Sequence, residues 1–124
     1  VDIVLINQIG ILSKYYFFCK SIFMGKSLLS ELILVGGQNP IEPAIMGCKI
    51  YHGPYVYNFA EVYKFLKLKK ISFKINNEKN LAKRLILDLK TSKKINLKKV
   101  LEINNYGSII LKKTLNEIYK FIKK

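Results

Sequence analysis

Three short apolar, β-rich runs, Ser21 to Met24 (SIFM), Cys48 to Tyr51 (CKIY) and Ile71 to Ile75 (ISFKI), are separated by stretches each long enough to hold a helix. Hairpin strands are joined by a few residues, whereas parallel strands need a crossover of roughly a dozen or more. The spacing therefore predicts an α/β chain, a Rossmann-like parallel sheet with flanking helices and right-handed crossovers. Val1 to Ile6 (VDIVLI) reads as a further strand, closed by a turn at Asn7, Gln8 and Gly10. ISFKI alternates apolar and polar residues, the pattern of a half-exposed edge strand.

Helices are predicted between these runs. Ile11 to Cys19 forms the first, and Leu28 to Val35 a loop or short helix. Gly36-Gly37-Gln38-Asn39-Pro40-Ile41-Glu42-Pro43 has the marks of a helix start: Asn39 at the N-cap, Pro40 at the first helical position and Glu42 three residues after the cap. That helix is expected to end at Gly47. Asn58 is expected to cap Phe59 to Leu68, which places Val62, Phe65 and Leu66 on one face. Asn77 is expected to cap Glu78 to Leu89. From Leu97 onward, Leu111, Leu115, Ile118 and Ile122 form an apolar stripe, read as two helices broken near Gly107.

The apolar half of the composition excludes a disordered tail, and 124 residues suffice for one core. The net charge of +14 invites an RNA or membrane reading. Up to Val62 the chain carries four basic and four acidic residues, so the whole excess lies beyond it. Arg84 is the sole arginine. Readers of nucleic acid favour arginine for its planar fork, so the lysine excess weighs against a nucleic-acid partner and for a solvated or membrane-facing surface. Cys19 and Cys48 lie at no metal-ligand spacing, no acidic cluster accompanies His52, and buried reduced thiols with no bound metal are expected. No uncharged apolar run reaches the roughly 18 residues that suggest a spanning helix.

In an open α/β sheet, ligands bind beyond the carboxyl ends of the strands. Three glycine-bearing loops fit that position: Asn7 to Gly10, Gly25 to Asn39, and His52 to Asn58. Their N–H groups suit a phosphate, although neither a P-loop nor a GxGxxG fingerprint is present. Glu42 has two readings, a capping-box glutamate returning to the backbone of Asn39, or an acceptor for vicinal sugar hydroxyls. Asn39 divides likewise between cap and ligand donor. His52 reads as a locally bonded turn residue, and Tyr15, Tyr16, Phe17 and Phe18 as core.

Gly36 to Ala44, then Gly47, His52-Gly53-Pro54 and Asn58-Phe59-Ala60-Glu61, resemble in order and spacing the C-terminal domain of 3-deoxy-D-manno-octulosonic acid (Kdo) transferases. The resemblance extends more weakly to Val4-Leu5-Ile6 with Gly10, to Phe23 to Ser27, and to Glu102 to Leu115. It implies that residues 1–124 are part of the donor-binding domain of a two-domain GT-B type glycosyltransferase, beginning inside that domain. The family transfers Kdo from CMP-Kdo to lipid A precursor with inversion, at the cytoplasmic face of the inner membrane, without a bound metal or other cofactor. By motif position Asn39, Pro40, Ile41 and Glu42 would hold CMP, with Glu42 on the ribose, and Ile9, Gly10 and Ile11 would supply a second nucleotide-binding loop. Gly25, Lys26 and Ser27, with Gly36, Gly37 and Gln38, would line the donor site.

Three positions depart from the family's pattern. Ile9-Gly10-Ile11 replaces Met-Gly-Glu and removes a polar donor contact, Gly25-Lys26-Ser27 replaces Gly-Gly-Ser and adds a side chain, and Gln38 stands where His is frequent. The family's base and acceptor site belong to its N-terminal domain, so these residues alone are expected not to turn over. The alternatives are a non-catalytic remnant or basic binding module on a membrane or RNA, and a different sugar-nucleotide transferase or epimerase with the same domain.

Overall fold

The computed structural model describes residues 3–123. Strands β1 (Ser21–Phe23), β2 (Lys49–His52) and β3 (Ser72–Lys74) form a parallel sheet in the order β1-β2-β3, with Ile22 opposite Ile50 and Tyr51 opposite Phe73. The helices are α1 (Leu12–Phe18), α2 (Ile41–Ile45), α3 (Ala60–Leu68), α4 (Glu78–Leu89) and α5 (Leu97–Ile122). The parallel α/β expectation is met, with β3 at an edge as its alternating pattern predicts.

Side chains alternate across β2 as a strand requires. Ile50 and His52 face α3, where His52 lies 4.5 Å from the Tyr63 ring, and on the same face Ser72 Oγ donates to the Tyr63 carbonyl. Tyr51 and Phe73, whose rings are 5.9 Å apart, face α4, which sends Arg84 over Phe73 and Asp88 to Tyr51. The main core joins Ile50, Leu66, Tyr63, Ile71, Met24, Ala44 and Cys48 to Ile103 of α5. Each fully buried aliphatic side chain contributes roughly 1.5–3 kcal/mol. Phe65 stacks on Tyr106 at 4.0 Å, which seats the first half of α5 beside α3.

Asn77 caps α4 as expected, accepting from the Asn80 N–H at 2.8 Å, and Asn96 caps α5 in the same way. Leu28 to Val35 is a loop with one 3-10 turn, Ser30–Leu32. Several expectations are corrected. Within Val1 to Ile6 the described residues form no strand, and Ile3, Val4 and Leu5 are exposed; Val1 and Asp2 lie outside the described residues. Strand propensity is realised only against a neighbour, and among the described residues β1 pairs with β2 alone. The predicted break near Gly107 is absent, because α5 is one helix of 26 residues. A single glycine costs about 1 kcal/mol, which the rest of a capped helix of this length absorbs. Of the four aromatics assigned to the core, only Tyr16 packs against it; Tyr15, Phe17 and Phe18 are exposed, since a seven-residue helix turns just one narrow face inward. Cys48 is buried and Cys19 half-buried, both as free thiols.

Candidate functional site

The carboxyl edge of the sheet is where β1 and β2 release the chain into loops that lead to α2 and α3. Ser27 ties these loops together. Its hydroxyl donates to the Met24 carbonyl at 2.6 Å and accepts from the Gly53 N–H at 2.9 Å, while its carbonyl accepts from the Tyr55 N–H. Gly53 is required here, since a Cβ would overlap the Ser27 carbonyl and the Leu28 Cα. The stretch 36–38 is pinned against the same loops. The Asn58 carboxamide donates to the Gly37 carbonyl at 2.8 Å, and the Tyr63 hydroxyl to that of Gln38 at 2.9 Å. A Cβ on Gly37 would meet Val56 at 2.9 Å and stand 3.6 Å from the Ser27 Cβ, so the 25–27 and 36–38 loops are neighbours.

Asn58 therefore does not cap the helix that follows it. Its side chain is spent on Gly37, and the chain enters α3 through the 3-10 turn Tyr57–Phe59 instead. Asn39 does act as a cap, because its Oδ1 accepts from the Ile41 N–H at 3.0 Å, although regular helix starts only at Ile41. The reciprocal capping-box bond from Glu42 to Asn39 is not formed. Glu42 is exposed, and its carboxylate has no hydrogen-bond or ion-pair partner among the described residues. Pro40 is buried beneath it, and Gln38 and Asn39 are exposed. The N–H groups of Gly25, Lys26, Gly37, Gln38 and Asn39 find no protein acceptor among the described residues. The edge thus offers two adjacent runs of backbone donors beside one uncommitted carboxylate.

Lys26 adopts φ +62°, the left-handed region that favours glycine, and its side chain is exposed. A glycine would suit this position for a physical reason that sequence reading missed: the turn itself is left-handed. Gly10 also has positive φ, but no hydrogen bond joins Ile9, Gly10 or Ile11 to the 39–42 segment, and Ile9 is fully exposed. The two predicted nucleotide loops are thus not brought into contact by hydrogen bonding.

His52 is buried with Nδ1 2.7 Å from the Gly53 carbonyl. Burial pushes its pKa below the ordinary histidine value, outweighing the carbonyl, and Lys74 and Lys67 act in the same sense. It is locally bonded, as the sequence suggested, but it ends β2 opposite Lys74 rather than standing in the turn, and it has no carboxylate partner among the described residues. Burial likewise raises the Tyr63 hydroxyl well above the usual range, so it stays protonated and able to donate to the Gln38 carbonyl. No group of three metal-ligating side chains gathers among the described residues.

The resemblance read from the motifs is borne out by whole-sequence comparison. Over 94 residues, 76% of this chain, the sequence is 29% identical to 3-deoxy-D-manno-octulosonic acid transferase of Aquifex aeolicus. Over 82 residues, 66% of this chain, it is 28% identical to a bifunctional glycosyltransferase/methyltransferase of Fusobacterium nucleatum subsp. nucleatum. The matches cover 26% and 12% of those proteins, so the chain spans about a quarter of the length of the first relative. No protein-family model matches.

Proposed function

We propose that this chain is the donor-binding part of a GT-B type glycosyltransferase that moves Kdo from CMP-Kdo to a lipid A precursor with inversion. The observation that carries the reading is the pairing of free backbone donors at residues 25–26 and 37–39 with the unengaged carboxylate of Glu42, on a chain similar to a Kdo transferase. Glu42 accepts two hydrogen bonds from the ribose hydroxyls, and the loop amides meet the phosphate or the Kdo carboxylate. With only five residues, α2 supplies little macrodipole, so the anion is held by the loop amides and by Lys26.

The acceptor and the general base are assigned to the part of the enzyme that this quarter-length chain does not span, which leaves positioning of the donor as its share of catalysis. No helix of the described residues is long and apolar enough to cross a membrane, and the lysines along α5 are assigned to an anionic membrane face. Isothermal titration of CMP, with wild type and Glu42→Ala, tests the site. Loss of a hydrogen-bonded charge is expected to weaken binding about tenfold or more. An equal dissociation constant in the two proteins rejects the ribose role.

A further inference from the structure

The opposite, amino edge of the sheet carries a second site of different chemistry. Lys20 immediately precedes β1 and Lys49 begins β2, while Thr91 to Lys94 form the loop after α4. Lys20, Lys49, Lys93 and Lys94, with Thr91 and Ser92, line one cleft of about 480 Å³. Lys49 and Lys94 are shared with an adjoining hollow that also takes in Lys70 and Lys99. These lysines come from five separate stretches of chain, and the topology of the parallel sheet gathers them at one edge.

Lys20 and Lys93 are anchored through carbonyls, which hold their position without cancelling their charge. Lys20 donates to the Asp88 carbonyl at 2.6 Å and the Thr91 carbonyl at 2.8 Å. Lys93 donates to the carbonyls of Tyr16 and Phe17 at 2.8 and 3.0 Å. Among the described residues no carboxylate lines either hollow; Lys49 is paired with Asp88, which lies outside them and is also committed to Tyr51. Each ammonium has three N–H donors. One therefore remains on Lys20 and two on Lys49, Lys93 directs its third to the Cys48 Sγ at 3.9 Å, and the Lys94 side chain makes no hydrogen bond or ion pair among the described residues. The N–H groups of Ser92, Lys93 and Lys94 donate to no carbonyl among them either. Four cations against the single carboxylate of Asp88, with Lys20, Lys49 and Lys93 held in place by their bonds and donors left on Lys20, Lys49 and Lys94, form a site for a compact, multiply charged oxyanion.

We infer that this lysine cleft binds a dianionic phosphate group, as carried by a phosphorylated lipid headgroup or by a free phosphorylated metabolite. It goes beyond the donor reading, from which it differs in location, in residues and in ligand.

The test uses inorganic pyrophosphate and vesicles of phosphatidylcholine with or without phosphatidic acid, whose headgroup is a phosphomonoester, at about 50 mM salt so that screening does not mask the interaction. The variant is Lys70→Glu/Lys94→Glu, because both side chains line the hollows and neither makes a hydrogen bond among the described residues, and circular dichroism verifies its fold. The control is Lys64→Glu/Lys79→Glu, an equal change of charge at exposed positions of α3 and α4 that line neither hollow. Titration with pyrophosphate is expected to give a dissociation constant at least about tenfold weaker for the cleft variant than for the control. Loss of vesicle sedimentation in the same variant assigns the phosphate to a lipid headgroup, and loss of pyrophosphate binding alone assigns it to a free ligand. No binding of pyrophosphate to wild type, or equal weakening by the control, overturns the site.

Discussion

At the carboxyl edge of the sheet, Ser27, Gly37 and Gly53 bring the loops into close contact, and Lys26 and Glu42 are exposed on the same segments. At the amino edge the loops do not interlock in this way. Lysine side chains span the gap instead, linking Lys20 to α4 and Lys93 to α1 across 68 to 77 residues of sequence. The first edge is rigid because glycine lets the chain approach itself, and its donors are amides. The second is assembled by long flexible side chains, and its donors are charges. One sheet thus presents a shape-selective edge and an electrostatic one.

Substitutions at the two edges should therefore fail in different ways. Gly53→Ala is expected to have the largest effect, a loss of about 3 kcal/mol or more in urea unfolding, since its methyl meets immovable backbone. A loss below about 1 kcal/mol would mean that the carboxyl edge yields as readily as the other. Asp88→Ala is expected to cost about 2 kcal/mol by leaving the buried Tyr51 hydroxyl and Lys49 without their acceptor. Burial pushes the Asp88 carboxyl up, but hydrogen bonds from Lys49 and Tyr51 outweigh it and hold it below the usual range. Its contribution is present above the ordinary carboxylate value and is lost as pH falls below about 4, so the cost of Asp88→Ala should shrink in acid.

Lys26→Gly is expected to raise stability by about 1 kcal/mol, through relief of a left-handed backbone. If Lys26 also clamps the donor anion, the same change weakens CMP-Kdo binding while the thermal midpoint rises. The smallest effect expected is the pH response of His52. Its folded value is depressed, so its contribution is present above the ordinary histidine value and declines as pH falls below about 6.5. The thermal midpoint should drop between about pH 7 and 5.5, and His52→Gln should flatten that slope.

Much of this comparison was legible in the sequence on one edge only. The glycines, Asn39 and Glu42 are short-range signals, and a turn or cap is specified within four or five residues. The roles of Asn58 and Lys26 were harder to see. Asn58 stands where a cap belongs, yet its carboxamide is claimed by Gly37, 21 residues away. Lys26 occupies a left-handed turn that composition alone would assign to Gly25. The lysine cleft was invisible, because its members are spread from position 20 to 99 and converge only once the sheet registers β1 beside β2. Charge counting found the excess in the second half, but Lys20 and Lys49 belong to the balanced first half. The helix at Gly107 misled for the opposite reason, since a local penalty of about 1 kcal/mol was outweighed by the cooperativity of a long helix.

That long helix has a further consequence. At roughly 1.5 Å per residue, α5 extends about 39 Å. Its anchors, Ile103 and Tyr106, lie in the first ten residues, and from Gly107 to Lys123 every position is exposed. An unsupported helix of this length is marginal in water. The second half should therefore open as a separate unit, its amides exchanging with solvent far faster than those of β2. Trypsin should cut first at Lys112 and Lys113, releasing the distal turns while the sheet and both of its edges stay folded.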